Sequence, residues 1–156
     1  LDEVMTAYQE TVSETTADDA FSTSYIDVIE TVISSLEEDD SAMVSQTENG
    51  NLWKFKYGSV EVFVLLTGSS DEDLLKVWAP VMNLPAKDEI GLTKKLLTMN
   101  WSDTLEASFA IVNDQVVVAA SRTVADLSPA EISRNITIVA TVADENDESL
   151  QADYGE

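Results

Sequence analysis

The apolar positions of this chain change period several times, and each change marks an element. Tyr25, Val28, Ile29, Val32, Ile33 and Leu36 fall at i, i+3, i+4, i+7, i+8 and i+11. That is a full apolar face at helical spacing, so a helix is expected over about 24–38, capped by Thr23 or Ser24. The run Glu37-Glu38-Asp39-Asp40 opposes the helix dipole and helps to end it. Upstream, Val4, Met5, Tyr8 and Val12 give residues 2–14 a narrow stripe and a weak helix, and residues 15–23 read as a linker.

The period then falls to two. Residues 42–47 form a first strand, Glu48-Asn49-Gly50-Asn51 a hairpin-type turn, and residues 52–57 a second strand. Gly58-Ser59 suits a two-residue type II′ turn. Counting outward from it pairs Tyr57 with Val60, Phe55 with Val62 and Trp53 with Val64 on one wholly apolar face. The other face pairs Lys56 with Glu61, Lys54 with Phe63 and Leu52 with Leu65. It is mixed rather than polar, which marks Leu52, Phe63 and Leu65 as a candidate contact surface.

Beyond Gly68-Ser69-Ser70, the acids Asp71, Glu72 and Asp73 and the apolar Leu74, Leu75 and Trp78 predict a short helix to Ala79. Pro80 and Pro85 bracket an irregular piece. A further helix after Gly91 carries Leu92, Leu96, Leu97 and Met99, with Lys94 and Lys95 outward, and ends near Trp101. Two strands follow around Asn113-Asp114, residues that tolerate the positive angles of a type I′ turn. That turn sets Ile111 against Val116, Phe109 against Val118 and Ala107 against Ala120. Ser128, Pro129 and Glu131 form a capped helix start with a capping box. This last helix buries Ile132, Ile136, Val139 and Ala143 and is expected to fray through Asp144-Glu145-Asn146-Asp147-Glu148.

Charge changes the picture of partners. Thirty acids against eight bases give a net charge of −22. Residues 1–50 hold thirteen acids and no base, residues 51–100 six of each, and residues 101–156 eleven acids and two Arg. Such a field repels phosphate backbones and anionic lipid, so neither nucleic acid nor membrane is an expected partner. A protein client or a basic protein is, although a saline habitat alone also explains an acidic surface. No run approaches a membrane span, and Leu1-Asp2-Glu3 opens no signal peptide, so a cytoplasmic place is expected.

The equipment of catalysis is sparse. With no Cys and no His, thiol nucleophiles, thiolate metal sites and every Ser-His arrangement are excluded. The five Gly form neither GxGxxG nor GxxxxGK[ST]. The clusters Glu37–Asp40, Ser70–Asp73 and Asp144–Glu148 fail the EF-hand pattern; counted from Asp144, positions six and twelve hold Ser149 and Gly155. They read as solvated acids, and neither a metal nor a cofactor is expected. A carboxylate pair brought together by the fold remains the enzymatic alternative, a small hydrolase. An acidic decoy for basic nucleic-acid-binding proteins is the other.

The words Leu-Trp-Lys-Phe-Lys-Tyr-Gly (52–58), Leu-Thr-Lys-Lys-Leu-Leu-Thr-Met-Asn (92–100), Phe-Ala-Ile-Val-Asn-Asp-Gln-Val-Val-Val (109–118) and Leu-Ser-Pro-Ala-Glu-Ile (127–132) carry a resemblance. Together with the order helix, three strands, helix, two strands, helix, they resemble a YbjN-domain protein, most of all the cyanobacterial variety. That family is similar in fold to the acidic, homodimeric chaperones of type III secretion, which bind extended client segments. The resemblance implies a non-enzymatic protein-binding module, chaperone- or adaptor-like and homodimeric. The expected fold is α+β: a twisted antiparallel sheet with helices 25–36 and 129–143 packed on it. One domain would span 24–150, between an extension (1–23) and a tail (151–156).

Overall fold

Tight turns fix the register of most of the sheet. In the computed structural model, which describes residues 15–156, Asn113 (φ 50°) and Asp114 (φ 61°) are both left-handed, as a type I′ turn requires. The strands that flank it pair Phe109 with Val118 and Ile111 with Val116, as expected; Ala107 falls just outside the pairing. At the other hairpin, Gly58 has φ 55°, and all six expected pairs from Tyr57–Val60 to Leu52–Leu65 are present. One detail differs. Lys56 reaches back to Asp39 (3.4 Å), and Glu61 is held by Lys54 (3.4 Å), so the ion pair runs diagonally across the strands.

The elements among the described residues are α1 (Thr15–Leu36), β1 (Met43–Thr47), β2 (Gly50–Tyr57), β3 (Val60–Leu66), β4 (Leu74–Asn83), α2 (Glu89–Ser102), β5 (Ser108–Val112), β6 (Gln115–Thr123) and α3 (Pro129–Tyr154). The strands form one antiparallel sheet in the order β1-β2-β3-β4-β6-β5. Its buried face is a lattice of Trp53, Phe55, Val62, Val64, Val77, Ala79, Val116 and Val118, closed by Ile29 and Ile33 of α1 and by Ile132, Ile136, Val139 and Ala143 of α3. α3 lies across β3, β4 and β6; α1 packs on α3. The indole N–H of Trp53 donates to Glu30 at 3.2 Å, tying β2 to α1.

Three expectations are corrected. The helix expected over 71–79 is the strand β4. Leu75, Val77, Ala79 and Val81 alternate into the core, and with β3 and β6 on either side the ladder overrides the helical spacing of Leu74, Leu75 and Trp78. Pro80 is tolerated in a central strand because the register shifts between Pro80 and Met82. The carboxylate of Asp73 staples the β3–β4 loop instead of starting a helix. It accepts from Ser70 N–H (3.0 Å), Ser70 Oγ (2.8 Å) and Thr67 Oγ1 (2.8 Å).

The second correction is at α1, which is helical from the first described residue, so the stretch 15–23 expected as a linker is helix and the helix does not start at Thr23 or Ser24. The weak helix expected over 2–14 lies outside the described residues. The third is at α3. It continues through the acid run to Tyr154 rather than fraying, because Asp147 and Leu150 face inward and are buried. The Ser128 half of the expected capping box is present, its Oγ accepting from Glu131 N–H at 3.2 Å, whereas Glu131 meets the Ser128 hydroxyl and not its N–H. The Glu131 carboxylate also pairs with Arg122.

Candidate protein-binding surface

The far side of the sheet is covered by no helix among the described residues. Strand alternation places Leu52, Lys54, Phe63, Leu65, Lys76 and Trp78 there; the apolar four are half-buried and Lys76 is exposed. Leu52 and Leu65 are direct partners across β2 and β3. Phe63 is opposite Trp78 across β3 and β4, their rings stacked at 5.3 Å with planes 10° apart. The three residues marked from the sequence are thus brought together, with a fourth that sequence reasoning missed. The helix expected over 71–79 sets Trp78 apart from Phe63; the alternation Leu75-x-Val77-x-Ala79-x-Val81 is the signal that puts it beside Phe63.

The sheet has two edges, and they differ. On β5 the side-chain amide of Asn100 covers the backbone of Phe109, accepting from its N–H (2.6 Å) and donating to its carbonyl (3.3 Å). Every residue of β1 is exposed, Met43 and Val44 included, and among the described residues its ladder runs to β2 alone. Such an edge accepts an added strand. Beside it a shallow hollow of about 130 Å³ lies between α1 and β1, lined by Ile33, Met43, Val44 and Trp53.

A third apolar area lies on α2. Ile90, Leu97 and Trp101, at i, i+7 and i+11, form an exposed stripe, with Trp101 93% accessible. Leu92 and Leu96 are the helix's buried side. Leu105, Ile111 and Val112, after α2 and at the tip of the β5–β6 hairpin, are exposed too.

The charged groups are structural in their arrangement. Arg134 donates to Glu106 at 2.7 Å and holds its carboxyl below the usual range, and Glu106 in turn raises the guanidinium. Hydrogen bonds from Ser70, Thr67 and the Ser70 backbone hold Asp73 below its ordinary value. Among the described residues no three acids gather in a way that would hold a metal ion, and no helix is long and apolar enough to cross a membrane.

This architecture has relatives. Residues 25–152 match the YbjN family, whose description reads "Putative bacterial sensory transduction regulator". The chain belongs to the YbjN family. No curated protein matches it. Among solved structures it is similar to a chain in the crystal structure of the ExsC-ExsE complex, with 16% identity, a TM-score of 0.59, and coverage of 81% of this chain and 93% of that one. At this identity the likeness is one of fold. It bears out the α+β architecture and the expected similarity of a YbjN domain to type III secretion chaperones.

Proposed function

We propose that this YbjN-family chain is a non-enzymatic protein-binding module, chaperone- or adaptor-like, which acts in the cytoplasm as a homodimer. The observation that carries the reading is the uncovered sheet face, where Leu52, Phe63, Leu65 and Trp78 form an apolar patch continuous through β2 with the open edge β1. An extended client segment would gain backbone hydrogen bonds along β1 and apolar contact on the face, the division of labour of strand addition. The solved neighbour is itself in a complex, which agrees with a binding fold.

The homodimer finds its surface on α2. The stripe Ile90, Leu97 and Trp101 sits on a helix with one acid, Glu89, and two bases, Lys94 and Lys95. In a chain of charge −22, this is where a second copy meets least repulsion.

Affinity capture from the source cytosol at matched salt tests the reading. One or two stoichiometric partners that resist moderate salt, and that a Phe63→Ser variant of unchanged melting temperature fails to hold, support it. A crowd of basic proteins released by salt would mean that charge alone attracts them, and the decoy reading would replace it. Turnover of any substrate abolished by a single acid-to-amide change would establish the hydrolase instead.

A further inference from the structure

β3 and β4 part company halfway. Their ladder runs from Leu66–Leu75 to Phe63–Trp78 and stops; beyond it β4 carries Pro80, which has no N–H, and the register shift toward β6. The strands part around a groove of about 400 Å³. Residues of both sheet faces line it: Phe63, Trp78 and Pro80 from the open side, and Val81, Asp147 and Gln151 from the α3 side. The split is bridged from α3, where the Gln151 amide donates to the Val81 carbonyl at 2.7 Å.

At the inner end of the groove is a carboxylate short of protons. Asp147 is 3% exposed, and its side chain is met by the hydroxyl of Ser59 at 2.7 and 2.8 Å. That hydroxyl also lies 3.1 Å from Asp144. One hydroxyl carries one proton, whereas an ionised carboxylate accepts about four hydrogen bonds. Among the described residues no Lys or Arg pairs with Asp147 or Asp144, and Lys54 is engaged with Glu61 at the groove's outer wall. The acceptor capacity that remains at this end of the groove is what a cationic donor from a partner could use.

We infer that the groove between β3 and β4 receives an arginine side chain from the bound client segment. Its guanidinium would meet Asp147 and its stem would lie against Trp78, Phe63 and Pro80. The inference rests on the protein-binding reading, since a partner supplies the cation. The volume is far larger than a bare ion needs; outside, Phe63, Trp78 and Pro80 stand beside the neutralised Glu61, and within lies Asp147. That order matches an alkyl stem with a charged head. A planar fork of five donors supplies what the carboxylate lacks, and arginine does so better than the point charge of lysine. Phe63 and Trp78 belong both to the open face and to the lining of the groove, so a segment resting on that face is positioned to send one side chain into it.

The test uses the full chain and two synthetic pentapeptides, Val-Thr-Arg-Val-Thr with capped ends and its citrulline counterpart, which has the same shape without the charge. Amide and indole shifts are followed by NMR. The Arg peptide should perturb Ser59, Glu61, the Gln151 side-chain amide and the Trp78 indole, and bind at least about tenfold more tightly than citrulline. Asp147→Asn should remove that preference, while Glu72→Gln, which deletes an exposed charge elsewhere, should change affinity less than about twofold. Because Asp147→Asn also alters a buried contact, Trp78→Leu serves as a second variant and should weaken the Arg peptide severalfold. Equal binding of the two peptides, or perturbations spread over the whole acidic surface, overturns the assignment. A client captured through Phe63 that holds Asp147→Asn as tightly as the native chain overturns the groove and keeps the binding module. Loss of both client and peptide binding removes both.

Discussion

Gly50 shows how much one residue can fix. Its φ is +125°, and a Cβ built on it would stand 2.2 Å from the carbonyl oxygen of Leu66 and 2.7 Å from Cα of Thr67. All three atoms are backbone or would be fixed by backbone, so nothing flexible can yield. Gly50→Ala should therefore cost about 2 kcal/mol or more, read as a lower urea midpoint with an unchanged slope. Asp73 acts through charge rather than shape. Its carboxyl is held below the ordinary value by Ser70 and Thr67, so the folded state favours its ionised form. The stability this brings is complete above the unfolded value of about 4 and disappears as pH falls through the lower folded value. The gap in urea midpoint between the native chain and Asp73→Asn should be widest near neutrality and close on acidification. A gap that grows toward acid would show that Asp73 does not staple the loop.

At the scale of elements, local signals and tertiary ones were not equally legible. The two hairpins and the capped start of α3 are written in adjacent residues, Gly58-Ser59, Asn113-Asp114 and Ser128-Pro129, and the structure has them all. β4 was not readable in this way. Ser70-Asp71-Glu72-Asp73 is good helix-start chemistry, and the ladder that outweighs it comes from β3 and from β6, more than forty residues on. Trp78, and with it half of the aromatic stack on the candidate surface, was lost to the same ambiguity. The end of α3 failed for a related reason. Five polar residues in a row look like a fraying end, but the partner that keeps the segment ordered is Ser59, 88 positions from Asp147. Its N–H also donates to Asp144 at 3.0 Å. Ser59→Ala removes the hydroxyl and leaves Asp147 buried without its donor. It should destabilise the fold by about 1–3 kcal/mol and speed hydrogen exchange over 144–154 more than over 129–140. Uniform acceleration along the helix would mean that α3 opens as one piece and that the Ser59 tie is not what holds its last turns.

The whole molecule separates charge from contact. Acids crowd the first and last thirds of the chain, and the balanced middle third supplies most of β2, all of β3 and β4 and most of α2, which carry the half-buried sheet-face patch and two of the three residues of the α2 stripe. Two copies at −22 each repel at distance, so a dimer forms only where apolar contact is dense and local charge is weak. The α2 stripe satisfies both conditions. Light scattering at high protein concentration should then give twice the 17.0 kDa of the chain. Added salt should tighten the association, because screening removes repulsion and leaves the apolar contact intact. Trp101→Asp places a charge at the C-terminal end of the stripe without touching the core, since Trp101 is 93% accessible. Loss of an interface aromatic costs about 2 kcal/mol or more, a weakening of at least about thirtyfold, and the variant should run as a monomer with an unchanged fold. A native chain that stays at 17.0 kDa under all these conditions would end the homodimer and return the α2 stripe to the list of surfaces a client could use. Salt that loosens the dimer would point elsewhere, to contacts between acids of one copy and the few bases of the other. Lys94 and Lys95 would be the first residues to change.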